Sequence, residues 1–126
     1  MSLFDVRNPR KPAEIDKLVI GKRGTDSPAN RDHHAFTSLA MNGTHTTRVA
    51  LPVSLVEDED SYDPKTALHR FEVDRNKRKI RHLGAMKAVG SQSDWWMRWN
   101  STDRSIIIDD RLYYYHGGHF RAGSWK

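Results

Sequence analysis

His116-Gly-Gly-His119 follows Asp109-Asp110 closely in the chain, so two imidazoles and two carboxylates lie within reach of one another. Histidines three apart across Gly-Gly can face one ion, with an aspartate as third ligand, because this donor set suits zinc and related metals. Gly-Gly between two apolar runs is first of all a hairpin turn, and the histidines then only flank the bend. The turn is the preferred reading. Neither a metal nor any other cofactor is expected.

Charge gives a second constellation. Arg70, Arg75, Lys77, Arg78, Lys79 and Arg81 fall in one short segment, just after the acidic run Glu57, Asp58, Glu59, Asp60 and Asp63. Placed on a two-stranded ribbon, these cations can follow a phosphate backbone. Alternatively they form a solvated hairpin whose charge the acidic loop balances. A third constellation is aromatic: Trp95, Trp96, Trp99, Tyr113, Tyr114, Tyr115, Phe120 and Trp125, with Arg98, Arg104, Arg111 and Arg121 among them. On strands, Trp96 and Arg98 face away from Trp95, Met97 and Trp99, and Tyr113 and Tyr115 face away from Tyr114. One face suffices for a core. The other offers aromatics beside arginine, a mixture that stacks single-stranded nucleic acid and that also marks protein interfaces. Arg70, Arg75, Lys77, Arg78, Lys79, Arg81, Trp96, Arg98, Tyr113 and Tyr115 are therefore the candidate nucleic-acid contacts. The expected partner is RNA, single-stranded DNA or another protein subunit, a second copy of the chain included.

The end of the chain also bears on catalysis. Asp103-Arg104, an Ile-rich run, Asp110, a Tyr-rich run and Gly-His119-Phe resemble the C-terminal end of the small bacterial guanyl-type (barnase-like) ribonucleases. The resemblance covers about the last quarter of the chain. It implies Arg104 and Arg98 as phosphate binders and His119 as general acid in a metal-independent cleavage of RNA. Glu72 is the one glutamate in range for the general base, and it lies well upstream. The catalytic set is incomplete, so the expected activity is binding, on nucleic acid or as a subunit of a larger assembly such as a phage or virus particle. A protein-inhibitor role for the Trp/Tyr/Arg face is a further alternative.

The elements that must position these residues are short. At 126 residues with no cysteine, the chain fits one domain that needs no disulfides, and thiolate chemistry is excluded. The formal charge is +5 and the pI about 9.7, which favours anionic partners. No apolar run is long enough to span a bilayer and no signal peptide is visible, so a soluble, cytoplasmic or virion protein is expected, with no membrane contact. Residues 1–12, with Arg7, Arg10, Lys11 and two prolines, read as an extended arm, and 13–126 as a single β-rich domain. Pro12 to Ile20 reads as a short helix or as a strand through Leu18, Val19 and Ile20. Asn42-Gly43 predicts a turn, and Val49, Leu51, Val53 and Leu55 alternate on a strand in which Pro52 demands an edge or a bulge. Leu68 to Asp74 and Lys79 to Leu83 predict the basic hairpin, with Phe71 and Val73 on one face. The tail predicts an antiparallel meander. Together these give a mainly β fold: a single antiparallel curled sheet, or a small barrel or sandwich, of roughly five to seven short strands with one or two short helices near the N-terminus.

Overall fold

The computed structural model describes residues 1–61, 63–89 and 102–126. Among the described residues the fold is mainly β, with three small antiparallel sheets, two lone 3-10 turns and no closed barrel. Strands β1 (Ser2–Asp5) and β2 (Ala13–Lys17) form a two-stranded ribbon. Strands β3 (Thr37–Ala40), β4 (Thr46–Leu55), β5 (Lys65–Asp74) and β6 (Lys79–Lys87) form a four-stranded meander in chain order. Strands β7 (Arg104–Ile108), β8 (Arg111–His116) and β9 (His119–Ser124) form the C-terminal meander. Among the described residues the helical content is confined to the turns at Pro28–Asn30 and His33–Ala35, so Pro12 to Ile20 forms no helix; its strand is Ala13–Lys17, and Leu18, Val19 and Ile20, where the apolar run placed it, follow the strand's end.

Several sheets stack here because the central one is apolar on both faces. Val49, Phe71 and Ile80 pack with Leu3, Leu18 and Ile20, which come from the N-terminal ribbon and the residues after it. Ala50 and Leu68, on the opposite face, pack against Ile107, Leu112, Tyr114 and Trp125 of the C-terminal end. β4 thus buries Val49 and Ala50 alike, whereas simple alternation leads one to expect a single buried face. The larger side chains of these layers, such as Val49, Leu68 and Phe71, contribute roughly 1.5–3 kcal/mol each relative to exposure. Trp125 anchors the second layer. It is 1% exposed, its indole N–H donates to Glu72 Oε1 at 3.2 Å, and the Arg48 guanidinium lies 5.1 Å from its ring centroid.

Turn chemistry sets the registers. Gly117 and Gly118, at φ +55° and +82°, make the two-residue turn that pairs His116 with His119, a conformation that L side chains resist. Pro52 pairs with Leu68 of β5 on one side, but on the other β3 ends opposite Ala50, so the missing N–H falls beyond the β3 ladder. Gly84, at φ +102°, sits where the β5/β6 register shifts, and beyond it β6 runs on to Lys87.

Candidate interaction face

On β7 and β8 the C-terminal sheet divides its side chains by parity. Ile107, Leu112 and Tyr114 point into the core, while Ile106 (56% exposed), Ile108 (55%), Tyr113 and Phe120 (78%) point out. Register collects the outward set into rows. Ile106 pairs with Tyr113 and Tyr113 with Ala122; Arg104 pairs with Tyr115 and Tyr115 with Phe120. The Tyr115 and Phe120 rings sit 4.9 Å apart, and Arg111, opposite Ile108, edges the patch. Tyr113 and Tyr115 therefore face outward, as the alternation predicts. Trp96 and Arg98, together with the Trp95 to Trp99 strand assigned to the core, lie outside the described residues.

The basic hairpin has a different role from the one its composition suggests. Arg78 Nη2 lies 3.2 Å from Asp5 Oδ2, Lys79 Nζ 3.4 Å from Asp16 Oδ1, and Arg81 Nη2 2.6 Å from Glu72 Oε2. Asp16 also accepts the Ile80 backbone N–H at 2.7 Å, the largest of the influences that hold its carboxyl below the usual range. Arg75 donates to the Thr44 and His45 carbonyls, and Arg70 to the carbonyls of Ser124, Trp125 and Leu83, tying the central sheet to the C-terminus. Lys77 alone projects widely, with Asp74 at 4.0 Å. The counter-charges come from the N-terminal ribbon and from the hairpin itself, whereas the sequence suggested the acidic loop.

The residues singled out for chemistry are dispersed. Arg104 is paired with Asp32 at 2.6 Å and His119 is exposed at the start of β9. Glu72 is engaged by Arg81 and Trp125 in the central sheet. Asp110 is taken by Arg48 at 2.7 Å, the main cause of its lowered carboxyl pKa. His116 turns inward: its Nδ1 lies 2.7 Å from Asp103 Oδ1, and the Tyr114 hydroxyl donates to Asp103 Oδ2 at 2.9 Å. Burial, reinforced by that carboxylate, pushes the Tyr114 phenol strongly up. His116 and His119 are thus cross-strand neighbours with different surroundings.

Two further histidine sites carry no sequence signature of their own. His69 Nδ1 meets His82 Nε2 at 3.0 Å across β5 and β6, and burial pushes His69 down to about 4. The β5/β6 register shift brings the two rings together, and a bulge is hard to place from sequence. Asp32 caps the second 3-10 turn by accepting the His34 N–H at 3.1 Å, and the adjacent His33 and His34 rings lie 4.0 Å apart. The Arg104 ion pair is the main reason the Asp32 carboxyl titrates low.

A family model described as beta propeller domain matches residues 1–126. The chain belongs to the beta propeller domain family. No curated protein and no solved structure matches it. Propellers repeat four-stranded antiparallel sheets radially around an axis. Here the β3–β6 meander has the strand number and order of one such blade, with the β1–β2 ribbon and the β7–β9 meander packed on its two faces.

Proposed function

We propose that this chain is an assembly module that docks a second copy of itself through the outer face of β7–β9. The observation that carries the reading is the exposure of Ile106, Ile108 and Phe120 on a sheet whose other face packs Ile107, Leu112 and Tyr114 into the core. A three-stranded patch of this length covers on the order of 300 Å², small beside the roughly 800 Å² per partner of a stable interface. Association should therefore be weak and concentration-dependent. Continuing the stacking suggests the mate. The far side of the β1–β2 ribbon carries Phe4, 52% exposed and paired with Glu14, whose carboxylate suits Arg111. Such a head-to-tail contact closes into a ring or runs on as a filament.

A second reading has its own support, since the Tyr115–Phe120 ring pair, with Arg104 opposite Tyr115, is the combination that stacks single-stranded nucleic acid. Most cations of the basic hairpin already have acidic partners, which favours assembly. Fluorescence anisotropy with a labelled single-stranded RNA decides between them. The assembly reading expects no saturable binding at low salt. Tight binding that collapses at moderate salt and is lost in Tyr115→Ala would make the face a nucleic-acid platform.

A further inference from the structure

We infer that Asp32, His33 and His34 form a surface site for a divalent transition metal of the zinc, cobalt and nickel class. Each residue offers one donor atom, and the three donors lie within 4.8 Å of one another. The closest measured pair is His34 Nδ1 and Asp32 Oδ1 at 3.3 Å. Bonds of about 2.0–2.1 Å at tetrahedral angles put neighbouring donors roughly 3.3–3.4 Å apart, so this pair already spans one edge of a zinc coordination shell. The same spacing applies to the His33 donor, which lies within 4.8 Å of the other two and therefore has to swing in by up to about 1.5 Å. Both histidines are exposed and free to make that movement.

The local structure holds the carboxylate ready. Asp32 Oδ2 is fixed by Arg104 at 2.6 Å, and Oδ1 accepts the His34 backbone N–H, so the ligand oxygen is aimed at the imidazole that would share the ion. An outer partner of this kind orients a metal ligand. Arg104 also neutralises the one carboxylate, which leaves the imidazoles as the main attraction. That balance selects borderline-soft ions over calcium and magnesium, which need several anionic or neutral oxygens. Three protein ligands leave a fourth position for water. None of the three ligands lies on β7–β9, although Arg104, which orients Asp32, ends the outer row of β7.

Isothermal titration of the tag-free chain with zinc chloride tests it, with cobalt(II) absorption as a second readout. The expected result is one equivalent bound, with intense visible cobalt bands of a four-coordinate ion. His33→Ala and His34→Ala should each weaken binding at least tenfold, with an unchanged circular dichroism spectrum. His45→Ala should leave it unchanged, and calcium and magnesium should not bind at millimolar concentration. Zinc binding that survives both His33→Ala and His34→Ala, or no binding at millimolar zinc, would overturn the site.

Discussion

The two faces of the β7–β9 sheet are built from the same strands, one residue out of phase, and they have opposite surroundings. Ile107, Leu112 and Tyr114 are sealed against the central sheet, whereas Ile106, Ile108 and Tyr113, their immediate neighbours in sequence, stand in solvent. A two-residue period thus separates the packed face from the face we propose for docking within one short meander. Substitutions on the inner face should cost folding and leave contacts intact; those on the outer face should do the reverse.

The largest loss is expected at the inner layer. Trp125→Ala removes a buried indole together with its Glu72 hydrogen bond and the Arg48 contact, and should cost roughly 3–5 kcal/mol in urea unfolding. A loss under about 1 kcal/mol would mean that the inner layer is not the core. Asp103→Asn should cost somewhat less, about 2 kcal/mol, because Asp103 is buried and serves both Tyr114 and His116. An Asn amide cannot accept from both at once. Unfolding curves of Asp103→Asn and Tyr114→Phe, alone and combined, should be non-additive if that network exists.

Acid provides a third probe. His69 titrates at about 4 in the fold against an ordinary 6.5, so between those values the unfolded chain binds the proton and the folded chain does not. Stability present above about pH 6.5 is therefore lost as pH falls towards 4, by on the order of 2 kcal/mol after allowing for solvent near the ring. His69→Leu should flatten that part of the profile in a pH series of thermal melts, and an unaltered profile would refute the assignment. The smallest effect belongs to the outer face. Ile106→Ser should change the unfolding free energy of the dilute protein by no more than about 0.5 kcal/mol. A drop of 2 kcal/mol would show that Ile106 already has a partner within the fold.

What the sequence makes legible follows the strength of local patterns. The C-terminal meander, the Gly-Gly and Asn-Gly turns, the Phe71/Val73 face and the parity of Tyr113, Tyr114 and Tyr115 rest on alternation and turn chemistry, which act over a few residues. The stacking of sheets does not. Ala50 and Val49 are both apolar, and only tertiary structure reveals that layers cover both. Side-chain partners distant in sequence were equally hidden. Arg78 and Lys79 read as free cations until Asp5 and Asp16, more than sixty positions away, are brought against them. His116 looks equivalent to His119 until Asp103 claims it.

The central claim is that the outer face of β7–β9 mediates association while contributing little to folding, and sedimentation velocity on wild type and Ile106→Asp/Phe120→Asp tests it most directly. The wild-type mass should rise with concentration from about ten to several hundred micromolar. The double variant should sediment as a monomer throughout, with a melting temperature within a few degrees of wild type. A wild type that stays monomeric over the whole range, or a double variant that associates equally well, would contradict the account.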